Sequence, residues 1–208
     1  RFLTVFAWTL IYQNTYPSLT KCWKEMSKLF SHDDILNDGI FVESWVFCDF
    51  PFGSERKTAL HYFEDFIRNS KNTEDFQPFI DQLKVSRLGL YQEILSSSKS
   101  IKLRELFTDK VVTIVNTIQD FEKGELFLTR LIEIEGKTYS FCDPKCWPKE
   151  YKIQIDTMIA NKLHYFEAPT IIEQYELFMK HAGPYWMSCV VSNEQCPILS
   201  PDHYLTYL

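Results

Sequence analysis

Residues 86–115 read SRLGLYQEILSSSKSIKLRELFTDKVVTIV, and residues 126–141 read LFLTRLIEIEGKTYSF. These two stretches decide the fold. Here the chain breaks into short apolar runs: Leu90–Leu95, Ile101–Leu106, Val111–Ile118, Leu126–Ile134 and Thr138–Phe141. Turn residues separate them, at Thr108–Asp109–Lys110, Lys123–Gly124 and Glu135–Gly136–Lys137. Val111 to Val115 is β-branched at every position, which stiffens χ1 and favours a strand over a helix. Short strands so close in sequence predict a small antiparallel sheet that curls into a barrel and so removes its own edges.

Outside this region the apolar residues recur every three or four positions, as on the buried face of a helix. Upstream, Phe2–Ile11 reads as one helix. Pro17 opens a second, with Leu19, Cys22, Trp23, Met26, Leu29 and Phe30 inward. Trp45 belongs to a further helical segment, and Pro51–Gly53 breaks the chain. Ala59, Leu60, Phe63, Phe66 and Ile67 make the face of the next helix. Thr73 caps another, with Phe76, Phe79, Ile80 and Leu83 inward. Downstream, Ile155, Met158, Ile159 and Leu163 predict a helix. Thr170 caps a last one, with Ile171, Tyr175, Phe178 and Met179 inward, and Gly183–Pro184 stops it. Trp186–Val191 and Pro197–Tyr204 read as a terminal hairpin. The fold class is therefore α+β in one compact unit: an N-terminal helical region (1–86), a small β-barrel (87–146), and C-terminal helices plus a hairpin (147–208).

Composition narrows the function. The 208 residues carry a net charge of −6, against the basic footprint of most nucleic-acid binders. Only 6 glycines are present, too few for the phosphate-cradling loops of a Rossmann or P-loop fold. The 6 cysteines are scattered and several sit in apolar stretches, which predicts reduced thiols in the cytoplasm. Phe2–Tyr12 is strongly apolar but too short to cross a membrane. The first residue is Arg rather than Met, so the chain is expected to be part of something longer.

Few residues cluster as chemistry requires. Cys142 and Cys146 lie four apart on a loop and could reach one zinc ion, with Cys189 or Cys196 and a His completing four ligands. Two reduced thiols are the reading preferred over it. His61 with Glu64 and Asp65, and His32 with Asp33 and Asp34, could hold a cation, but helix-surface charge pairing explains both. No nucleophile elbow is present, and Cys48, His61 and Asp49 make a triad only on paper. Arg87, Lys99, Lys102, Arg104 and Lys110, with Tyr91 and Phe107 among them, could form a basic, aromatic groove for single strands. Glu93, Glu105 and Asp109 dilute it. Trp147, between Cys146 and Pro148, either anchors a partner or closes the end of the barrel.

The stretch from Glu43 to Ile134 carries a resemblance. Trp45, Asp49 and Pro51 precede a helix; Ser86, Arg87, Tyr91 and Glu93 follow on a strand; Leu103–Arg104–Glu105–Leu106–Phe107–Thr108–Asp109 forms a hairpin; Gly124–Glu125 and Arg130–Leu131 mark the last strand; and the tail contributes Val190–Glu194. This resembles a family of bacterial hypothetical proteins that combine helices with a small SH3-like barrel, often with a C-terminal SEC-C zinc motif. Two features depart from the pattern. Asp109 stands where the family has a turn glycine, and the SEC-C cysteine cluster is absent from these residues. The resemblance implies helices around a small SH3-like barrel and bears on the fold far more than on the function.

The function expected is a non-enzymatic interaction module with a protein partner and no membrane. The candidate binding residues are Arg87, Tyr91, Lys102, Arg104 and Trp147. Alternatives are a nucleic-acid-binding module using the barrel, or an enzyme of unrecognised class. The only cofactor considered is zinc, at Cys142 and Cys146. Neither the partner's identity nor the oligomeric state is legible.

Overall fold

The computed structural model describes residues 24, 44–45, 47–51, 54–68, 77–115, 124–141 and 144–181. The helices expected upstream of residue 44, the Thr73 cap, Cys142, the stop at Gly183–Pro184 and the terminal hairpin lie outside these residues.

Ser44, Trp45, Phe47 and Cys48 are helical. Two helices follow, α1 (Ala59–Arg68) and α2 (Gln77–Val85). Six strands come next: β1 (Leu88–Ser96), β2 (Ser100–Glu105), β3 (Val111–Val115), β4 (Leu126–Ile134), β5 (Lys137–Ser140) and β6 (Lys145–Trp147). A short 3₁₀ turn (Lys149–Tyr151) leads to α3 (Lys152–Leu163) and α4 (Ile171–His181). The mixed helix and sheet content agrees with the α+β expectation. The short strand β6 is an addition to it.

The sheet closes into a barrel in the order β1–β2–β3–β5–β4 and back to β1. The barrel is mixed rather than wholly antiparallel. Its β3–β5 seam is parallel and rests on one pair, Ile114 with Thr138. Ring arithmetic accounts for this: strands that alternate in direction cannot close a ring of odd number, so one seam must be parallel. Strand β4 is long enough to serve three neighbours. Leu126–Arg130 pairs with β1, Leu126–Leu128 also pairs with β6 on its other edge, and Leu131–Ile134 pairs with β5. The register of β1 against β2 skips Ile94, a bulge that bends β1 as it turns the corner.

Strand parity sorts the side chains. Tyr91, Ile101, Leu103, Ile114 and Phe127 pack together inside the barrel. Leu88, Leu90, Leu126, Leu128 and Ile132 form the opposite face and pack against the helices, with Trp45, Leu60, Ile80, Ile155, Tyr175 and Phe178. Thr170 and Glu173 form a reciprocal cap on α4: the Glu173 N–H donates to Thr170 Oγ1 at 3.2 Å, and the Thr170 N–H donates to Glu173 Oε2 at 3.0 Å. Tyr175, Phe178 and Met179 are buried as expected, but Ile171 is 65% exposed. The inward stripe of α4 is covered only from Tyr175 onward.

A polar node inside the core fixes where β1 begins. Arg130 of β4 is fully buried and ion-paired to Asp49. It also donates to the Ser86 carbonyl (2.8 Å), the Ser86 hydroxyl (3.0 Å) and the Ser44 hydroxyl (3.2 Å). Ser44, Asp49, Ser86 and Arg130 are thereby joined by one guanidinium. The Trp45 indole N–H donates to the Lys180 carbonyl in the last turn of α4 at 2.8 Å. Among the described residues, no helix is long and apolar enough to cross a membrane.

Candidate binding cleft at the barrel mouth

Starting residues of β1, β3 and β5 and the ends of β2 and β4 meet at one end of the barrel. They surround an open cleft of about 650 Å³. Val112, Leu131 and Ile132 make its apolar wall, and Tyr91 and Glu105 its floor. The end of α2 and the first turns of α4 raise the rim with Val85, Ile172 and Glu176.

Arg87 is the organising residue. Its Nη1 donates to Glu105 Oε1 at 2.6 Å and to the Leu88 carbonyl at 3.1 Å. Its Nη2 reaches Glu176 Oε1 at 3.3 Å, a longer contact to an exposed carboxylate. The guanidinium lies 5.3 Å from the centre of the Tyr175 ring, a cation–π geometry. Burial disfavours the Arg87 cation, but the Glu105 carboxylate outweighs it and holds the pKa above the ordinary value.

Glu105 faces inward because it shares the parity of Ile101 and Leu103, and it is buried. Its second oxygen accepts from the Thr108 hydroxyl at 2.7 Å. The Tyr175 hydroxyl accepts from the Leu90 N–H at 3.0 Å, and Phe107 stacks on its ring at 4.9 Å. Phe107 reaches that position with a left-handed φ of 71°.

Tyr91 is 7% exposed and its hydroxyl lies over Gly89. A Cβ at Gly89 would fall 2.5 Å from that oxygen, so only glycine leaves room for it. Among the described residues the hydroxyl makes no hydrogen bond, and it opens onto the cleft rather than being sealed. Burial, and then the Glu105 charge, push its pKa well above the usual phenol value, which keeps it a neutral O–H donor.

Arg87 and Tyr91 thus come together at this site. Lys102 and Arg104 are exposed and take the opposite parity on β2, so they point away from the barrel interior. Trp147 is 1% exposed and packs in the helix-side core. It presents no face to a partner, which corrects the reading of it as an exposed anchor. Cys146 is exposed, with its thiol 3.8 Å from the Pro144 carbonyl. Among the described residues, no group of three His, Cys, Asp or Glu side chains could hold a metal ion. Glu64 is buried and paired with Arg68 one turn along its own helix (2.6 Å) and with Lys84 of α2 (2.9 Å), so only the first of these is the local helix-face pairing expected.

Glu105, Thr108, Tyr175 and Glu176 had no place among the sequence candidates. Glu105 left one signal, an acid at the inward parity of an otherwise apolar strand. The other three reach the site only through packing.

The cleft is a polar-floored recess with an aliphatic rim, a concavity of the kind that can hold a ligand. Compared with known protein families, with curated proteins and with solved structures, the chain matches none of them.

Proposed function

We propose that this chain is a non-enzymatic protein-binding module and that the barrel-mouth cleft receives a segment of the partner. One observation carries the reading: a fixed polar floor lies beneath exposed aliphatic side chains, with Val85 at 80% and Ile172 at 46% exposure on the rim. Exposed apolar groups around a recess mark docking surfaces, and polar groups below them set orientation. A nucleic-acid reading is less favoured. The lining holds three carboxylates (Glu105, Glu133, Glu176) against two cations (Arg87, Lys110), and so repels phosphate. The likeness to bacterial helix-plus-barrel proteins, an SH3-like identity for the barrel and a cytoplasmic location belong to the same proposal.

A displayed library of short peptides tests it, panned in parallel on the wild type and on the double variant Val85→Glu/Ile172→Glu. Sequences retained by the wild type and lost on the variant, with chemical-shift changes confined to the cleft, support the reading. Sequences retained equally by both proteins, or tighter binding of single-stranded RNA, would overturn it.

A further inference from the structure

We infer that the occupant of the cleft is an extended peptide in which a basic side chain stands beside an aliphatic one, with a backbone carbonyl accepting from the Tyr91 hydroxyl. The inference rests on the protein-binding reading and adds the chemistry of the partner.

The first argument is the Tyr91 hydroxyl. It is nearly buried, neutral, open to the cleft and unpartnered among the described residues. A neutral hydroxyl that opens onto a cleft can donate to an acceptor that enters it. Glu105 Oε1 also lies against Gly89, on the same side as the hydroxyl. A second carboxylate brought to Tyr91 would meet that charge, whereas an uncharged peptide carbonyl would not. Both oxygens of Glu105 are already engaged, by Arg87 and Thr108, so Glu105 makes no rival claim on the ligand.

The second argument is the charge of the lips. Arg87 is held between Glu105 and Glu176 and has little attraction left for an anion. Counted together, the three carboxylates of the lining (Glu105, Glu133, Glu176) exceed its two cations (Arg87, Lys110) by one negative charge. The chain as a whole carries −6, and a field of that sign draws basic segments and repels acidic ones. A Lys or Arg side chain at the Glu133 lip completes the pairing. The next residue turns the other way in an extended chain and meets the wall of Val112 and Leu131.

The test uses labelled synthetic peptides that alternate Val with Lys, with Gln or with Glu, followed by fluorescence anisotropy. The Lys peptide is expected to bind tightest, with an affinity that falls as salt rises. Tyr91→Phe should weaken it about tenfold, the size of one lost hydrogen bond to a ligand, with circular dichroism unchanged. Glu133→Gln should weaken the Lys peptide and leave the Gln peptide as it was. A tighter Glu peptide, or a Tyr91→Phe protein that binds like the wild type, would refute the inference. If Val85→Glu/Ile172→Glu still abolishes binding in that case, the protein-binding reading survives. If none of the three peptides binds the wild type, the inference fails, and the library selection alone decides the broader reading.

Discussion

Arg130 and Asp49 stand 81 positions apart in sequence and form an ion pair closed off from solvent, with Arg130 at 0% exposure. Three further N–H donors of the guanidinium go to Ser44 and Ser86. A buried charge is tolerated only when every donor is used.

Breaking that pair from one side should cost more than removing it. Asp49→Ala strands a buried guanidinium, with an expected loss of about 3–5 kcal/mol. The double replacement Asp49→Leu/Arg130→Met removes the charge as well and should recover most of it. Urea unfolding of the two single variants and the double variant measures the coupling. Additive losses would mean that the pair is not a unit.

Acidity should act on Asp49 in an unusual direction. Burial pushes its carboxyl up from 3.8 to about 6, although Arg130 pulls the other way. The folded chain therefore holds this proton more tightly than the unfolded chain does. Stability from this group is full below the unfolded pKa and falls as pH rises through about 6. Between pH 7 and pH 5 the wild type should therefore gain stability relative to Asp49→Asn, which lacks the titrating carboxyl. A wild type that loses stability across this window, with the same slope in Asp49→Asn, would contradict the assignment.

Tyr175 supports Arg87 through its ring and β1 through its hydroxyl. Tyr175→Phe keeps the ring but leaves the buried Leu90 N–H unmatched. The expected cost is about 1–3 kcal/mol, and hydrogen exchange at Leu90 should accelerate more than at Ile114. Equal protection at both positions would deny the bond.

At the β4–β5 turn both central residues are left-handed, Glu135 at φ 51° and Gly136 at φ 71°. This is the two-residue hairpin geometry that Asn-Gly suits best. Glu135→Asn should raise stability by about 0.5–1 kcal/mol, read from the urea midpoint. No change, or a loss, would mean that Glu135 makes a compensating contact.

Much of this fold is visible in local pattern. The run of β-branched residues at Val111–Val115 became β3, and the expected strand Leu126–Ile134 is β4 to the residue. Strand β6 was missed because three residues between prolines show no period. The parallel seam was within reach of the sequence, since its five strand runs cannot close a ring in strict alternation; the expectation of a wholly antiparallel barrel overlooked that arithmetic. The cleft was half legible. Arg87 and Tyr91 stood out, but Glu105 looked like a charge diluting a patch until its parity placed it on the floor. Tyr175 and Glu176 reach the site from a helix 85 or more positions downstream, and proximity of that kind leaves no trace in spacing.

The hydrogen bond from the Trp45 indole to the Lys180 carbonyl spans 135 positions. During synthesis the tryptophan leaves the ribosome long before its acceptor exists. The early segment must therefore wait, its indole still hydrated, until α4 has emerged. Completion of this contact is timed by α4, and a nascent chain halted before Lys180 would carry a barrel on which the Trp45 segment is not yet latched.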